Sequence, residues 1–154
     1  MSMHSEDQIE AFEKKGKLIY RLEASLAASP EEVWSRISDV NKIREWDTMI
    51  MEISGEIRNG RKVTLRSAIS PDQKFKLNIS GVIPFRAMTW KSGMYPLFRG
   101  VRQYSLRKEG EYTVFLVEEV FEGWLLPMMK TKLPDCQTLF GTYIKDLRKA
   151  LNIN

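Results

Sequence analysis

Six runs of strand-forming residues follow one another between residues 49 and 122 with almost nothing between them: 49–57, 61–69, 74–82, 86–92, 98–108 and 112–122. The breaks are Asn59-Gly60, Pro71-Asp72, Ile83-Pro84, Tyr95-Pro96 and Glu109-Gly110, residues that reverse a chain because they tolerate or impose turn dihedrals. Parallel neighbours need a crossover of about a dozen residues or more. These gaps leave no room for one, so the sheet is expected to be antiparallel throughout. An earlier run, KLIYRLEASL at 17–26, adds a seventh strand. In the last thirty residues the period changes. Cys136, Leu139, Phe140, Tyr143, Ile144, Leu147 and Leu151 recur at three- and four-residue intervals, which predicts an amphipathic helix. It begins at Pro134, or joins an earlier turn from Leu125 through a kink.

Between the first strand and the second lies ASPEEVWSRISD. Ser29 suits an N-cap, Pro30 the first helical turn, and Glu32 completes a capping box, with Val33, Trp34 and Ile37 as the buried stripe. Asp39 can cap a second short helix ending near Trp46. The expected class is α+β: a seven-stranded antiparallel sheet, two short helices after its first strand, and one long C-terminal helix. Only that last helix is long enough to cover the apolar face of the sheet. Sheet twist would leave a hollow beneath it. Residues 17–154 read as one domain, and 1–16 as a loosely helical segment with Ile9 and Phe12 on one side, or as disordered.

The chain has one histidine, His4, and one cysteine, Cys136. That excludes a Ser-His-Asp triad or a Cys-His pair built in an ordered core, an intramolecular disulfide and multi-Cys zinc sites. No metal or cofactor is expected. Lys and Arg total 24 against 20 acids, a net charge of +4, which falls short of a nucleic-acid footprint unless the cations cluster. They do so mildly, in Lys130, Lys132, Lys145, Arg148 and Lys149, and read as a solvated helix face. No run approaches the ~18 apolar residues of a membrane span. The N-terminus lacks a signal-peptide apolar stretch, so a cytoplasmic location is expected.

The segments ASPEEVWSRISDVNKIREWD, PFRAMTW, GVRQYSL and TVFLVEEVFEGWLLP resemble the START and birch-pollen-allergen superfamily, and within it the polyketide cyclase/dehydrase-like (SRPBCC) branch. The resemblance covers residues 17–151 and rests on structural motifs. It implies a helix-grip fold and a cavity for a lipid, fatty acid, aromatic polyketide or similar apolar molecule. Only some members of the superfamily are enzymes, and fold alone does not assign chemistry.

Residue alternation indicates what would line the hollow. A two-residue turn at Glu109-Gly110 pairs Lys108 with Glu111, Tyr104 with Phe115 and Arg102 with Val117. Arg102, Tyr104, Leu106, Phe115, Val117, Glu119 and Phe121 then share the concave face. Trp90, Met88, Leu77 and Met51 join them from neighbouring strands, Met128 from the C-terminal region and Tyr143 from the helix. Arg102 and Glu119 sit diagonally on adjacent strands and are expected to pair, either as an anchor for a polar ligand group or as a structural salt bridge; a one-residue slip would turn both to solvent. Cys136 is expected to pack as a small hydrophobe, and Asp47 to cap backbone and not to act as a catalytic acid. Three functions follow: a carrier or sequestering protein for a small hydrophobic molecule; a cyclase or dehydratase using Glu119 with Arg102 or Tyr104; or a module that meets a protein or membrane surface through its basic C-terminal helix.

Overall fold

The computed structural model describes residues 7–154; His4 and the first six residues of the N-terminal segment lie outside them. The chain runs β1 (Gln8–Lys14), β2 (Lys17–Leu26), α1 (Pro30–Ile37), α2 (Val40–Trp46), β3 (Ile50–Gly55), β4 (Lys62–Ser67), β5 (Lys74–Ile83), β6 (Ala87–Met94), β7 (Phe98–Glu109) and β8 (Tyr112–Glu122). A short helix α3 (Leu126–Met129), a 3₁₀ turn (Lys130–Lys132) and the long helix α4 (Cys136–Ala150) follow. The strands form one antiparallel sheet in the order β1-β2-β8-β7-β6-β5-β4-β3. With α4 across its concave face, this is a helix-grip arrangement.

The sheet has eight strands, not seven. Residues 8–14 form neither a helix nor a disordered segment: they pair with β2 from Gln8↔Glu23 to Lys14↔Lys17. Ile9 and Phe12, three apart, look like one helical face, but in a strand they point to opposite sides. Ile9 packs with the core beneath α4. Phe12 lies on the convex side, with the Arg21 guanidinium 5.3 Å from its ring centre. Asp7 and the Ser25 carbonyl accept from Arg148 at 2.6 and 3.1 Å, which ties this edge to α4.

The short helices start as expected. Ser29 Oγ accepts from the Glu32 N–H at 3.1 Å, and Asp39 accepts from Asn41 N–H at 2.9 Å. The C-terminal helix begins at Cys136, capped by Asp135 accepting from Gln137 and Thr138. Burial holds the layers together. Phe140, Ile144 and Leu147 of α4, with Val33 and Ile37 of α1, close over Leu22, Leu106, Phe115 and Val117 of the sheet. Each such side chain contributes about 1.5–3 kcal/mol by leaving water.

The β7–β8 register corrects the expected one. Glu109 pairs with Tyr112, so Tyr104 faces Val117 and Arg102 faces Glu119 directly. The two-residue loop is Gly110-Glu111, with Gly110 at φ +62. A glycine at the first central position suits a primed turn of the II′ kind. The slip is two residues, so every side chain keeps its predicted face.

Candidate functional site

Cross-strand rows explain where the concave face is filled and where it is hollow. Beneath the middle of α4, one row runs Leu22, Val117, Tyr104, Met88. The next, toward the end of the sheet where β8 leaves it, is Tyr20, Glu119, Arg102, Trp90, Ile79. The row beyond is Leu18, Phe121, Gly100, Ser92. Bulk falls away at Gly100 and Ser92, and α4 has only just begun at this level. A cavity of ≈ 180 Å³ remains.

Its walls are mainly apolar. The sheet contributes Ile50, Leu65, Phe75, Leu77, Trp90 and Phe121; α4 contributes Cys136, Leu139 and Tyr143; Met129, Leu133 and Pro134 close the side next to α3. Gln73 and Lys132 are its exposed lining residues, which sets the mouth between the β4–β5 turn and the 3₁₀ turn.

Arg102 and Glu119 both line this cavity, with Arg102 Nε donating to Glu119 Oε2 at 3.2 Å. Their side chains are only 22% and 12% exposed. The Arg102 guanidinium also lies 5.3 Å from the centre of the Phe140 ring, an arrangement that favours a cation. Burial would pull the Arg102 pKa down, yet Glu119, followed by Tyr104, outweighs it and holds the guanidinium well above its ordinary value. Burial raises the Glu119 pKa, and Arg102 offsets that rise only in part.

Of the twelve residues expected to line a binding site, Arg102, Glu119, Phe121, Trp90, Leu77 and Tyr143 meet at the cavity. Tyr104, Phe115, Val117 and Met88 lie on the same face but are sealed in packed core, one or two rows toward the C-terminal end of α4. Phe115 stacks on Tyr143, and Tyr104 is tilted against Trp90 with centroids 5.4 Å apart. Met51 is exposed because a bulge between Ile50 and Glu52 breaks the alternation, and Ile50 takes the inward place. Met128 is exposed as well; its neighbour Met129 faces the cavity.

Asp47 is the functional candidate that alternation and motif did not single out. It does cap backbone, accepting from the Met49 N–H at 3.0 Å, but it is also buried and lines the same cavity. Burial pushes its pKa up to about 6; the Met49 hydrogen bond and Arg102 lower it, and Asp146 raises it further. The one signal in the sequence was its place directly after Trp46, at the end of a short helix. Tyr143 is driven well above the ordinary phenol value, chiefly by burial. Burial pushes the Cys136 thiol up to about 12, so it is a wall and not a nucleophile. Among the described residues no group of three or more His, Cys, Asp or Glu could hold a metal ion. No described helix is long and apolar enough to cross a membrane.

No family model matches the chain, and no curated protein does. Solved structures do. CalU16 from Micromonospora echinospora is 17% identical with a TM-score of 0.63, over 92% of this chain and 85% of that one. Protein MLL2253 from Mesorhizobium loti has a TM-score of 0.70 at 15% identity, over 87% of this chain and 96% of that one. A protein from Arthrobacter aurescens also reaches 0.70, at 14% identity, over 93% and 91%. Likeness at this level of identity establishes the fold. It assigns no ligand and no reaction.

Proposed function

We propose that the protein binds a small, mainly apolar molecule in this cavity and fixes its polar end at the Arg102–Glu119 pair, as carrier or sequestering protein of START-like, SRPBCC type. The observation that carries the reading is a buried charged pair set into the wall of a mainly apolar hollow. Volume narrows the ligand. An engineered cavity of about 150 Å³ takes up benzene. At ≈ 180 Å³, this one suits a single ring or a short chain, with the remainder of any longer lipid or polyketide extending through the mouth. Phe75, Leu77, Trp90 and Phe121 supply flat apolar contact, and Arg102 a fork that matches a carboxylate or phenolate.

Native mass spectrometry of the purified protein, followed by titration with single-ring phenols, benzoates and short fatty acids, tests this. One equivalent is expected to bind, and Arg102→Ala should weaken an anionic ligand about tenfold or more while sparing a neutral isostere. Absence of binding across the series would refute the reading.

Asp47 favours a second reading. A carboxyl with a pKa of about 6 in the same cavity could take or give a proton near neutral pH, as an enzyme of cyclase or dehydratase type requires. Tyr104, sealed under α4, has no access to a bound molecule in that scheme. Turnover that is lost in Asp47→Asn with binding retained would establish it.

A further inference from the structure

Large apolar side chains gather outside the cavity, at the end of the sheet where its mouth opens. Met94, Tyr95 and Leu97 form the tip of the β6–β7 turn, and Trp124, Leu125 and Met128 belong to the β8–α3 segment; all six are exposed, Trp124 at 75% and Met128 at 73%. Backbone bonds clip the two segments together: Trp124 N–H donates to the Pro96 carbonyl and Leu125 N–H to that of Leu97, both at 2.9 Å. Gly123 permits this approach at φ +126, where a Cβ would lie 2.4 Å from the Leu97 carbonyl oxygen. The six side chains therefore sit on one backbone-fixed platform. Large apolar patches on a surface mark contact sites.

Charge indicates the partner. The antiparallel topology brings the β1–β2 turn to the same end of the sheet as the β6–β7 turn and the end of β8. Residues 13–17, 94–99 and 122–134 then bring Lys14, Lys15, Lys17, Arg99, Lys130 and Lys132 against Glu13 and Glu122. The nearby β4–β5 turn adds one charge of each sign, Asp72 and Lys74. Some of the cations are paired, Lys130 with Glu13, and both Lys17 and Arg99 with Glu122. The excess is positive all the same. An aromatic and methionine platform rimmed by lysines has the chemistry of an interfacial anchor: rings at headgroup depth, ammonium groups among phosphates.

We propose that this end of the molecule docks on an anionic lipid surface, through the 94–97 tip and the 124–128 segment. The apolar path continues from Leu125 and Met128 through Met129 and Leu133 into the cavity wall. The docked protein therefore presents its mouth to the bilayer. Exchange of a ligand between bilayer and cavity rests on the binding function proposed above; the docking itself does not. It differs from attachment through α4, whose exposed Lys145 and Lys149 lie on another part of the surface.

Flotation with ligand-free vesicles separates these cases. Wild-type protein is expected to float with phosphatidylcholine vesicles containing phosphatidylglycerol, less so with phosphatidylcholine alone, and to be released by salt. The double variant Trp124→Ser, Met128→Ser, its fold checked by circular dichroism, should bind those vesicles at least about tenfold more weakly. Lys145→Glu with Lys149→Glu should leave binding near the wild-type level. Failure of the wild type to float overturns the proposal. So does loss of flotation only in the α4 variant, or a wild-type dimer that the double variant abolishes, which would make a second copy the occupant. Titration of the same double variant with cavity ligands in solution reads the binding function separately.

Discussion

Replacing Asp47 by Asn tests the electrostatics of the site through stability, without any ligand. The carboxyl is buried, and its pKa rises from 3.8 to about 6 on folding. An acid with a raised pKa holds its proton more tightly folded than unfolded. Stability is therefore greatest below about pH 4 as far as this group is concerned, falls as pH rises from about 4 to about 6, and is flat above. At about 1.4 kcal/mol per unit, the shift corresponds to about 3 kcal/mol lost by pH 8. Asparagine keeps an oxygen for the Met49 N–H and carries no charge. Asp47→Asn is thus expected to match wild type near pH 4 and to exceed it by up to about 3 kcal/mol at pH 8. Urea unfolding of both proteins at several pH values between 4 and 8 gives the difference directly, and other titrating groups cancel in it. A variant less stable than wild type at pH 8, or a difference that does not change with pH, would show that burial does not govern this carboxylate.

Three further outcomes are expected. Arg102→Ala leaves Glu119 buried and unpartnered and should cost about 3–5 kcal/mol in chemical unfolding, whereas Arg102→Met with Glu119→Leu should be close to neutral; equal losses in both would count against a desolvated pair. The Cys136 thiol, pushed up to about 12, should resist thiol reagents at pH 8 in folded protein and react at once in urea; rapid labelling of native protein would contradict its place in the wall. Gly123→Ala forces a Cβ against the Leu97 carbonyl in a region of φ that favours glycine, and thermal unfolding should show a loss of about 1–3 kcal/mol or more. An unchanged melting temperature would mean that the two loops are not held as described.

Periodicity reaches the elements that bury one face. The seven strands from residue 17 onward, both short helices and the long helix are legible because each repeats its apolar residues at 2.0 or near 3.6. β1 is not, since its two large apolar residues serve opposite faces of an edge strand and so mimic a helical spacing. Within the site, face is legible and depth is not. Alternation assigns Tyr104, Phe115, Val117 and Met88 to the same side as Arg102 and Glu119. Whether a row is filled depends on where α4 crosses and on a glycine two residues away at Gly100, neither of which a period encodes. Met51 escapes through a bulge, which changes parity locally. Asp47 stays hidden for a related reason: a residue just past a helix looks like a cap, and only the path of the helix decides what else it meets.

The polar groups of this cavity bear on what it is for. A buried ion pair seldom stabilises a fold more than apolar side chains of the same volume. Here the pair is joined by a third ionisable group, Asp47, whose raised pKa records a cost of burial. Asp47 is incompletely compensated: the Met49 backbone hydrogen bond and Arg102 favour its charge by less than burial opposes it, and Asp146 opposes its ionisation as well. Apolar side chains of similar volume in these places would remove the penalty. A mainly apolar wall into which Arg102 and two carboxyls are buried, with Lys132 at the mouth, is therefore poorly explained as a device for stability. It is better explained as a surface that a molecule completes, one whose apolar body fills the hollow and whose polar end gives Arg102 a second acceptor or Asp47 a donor.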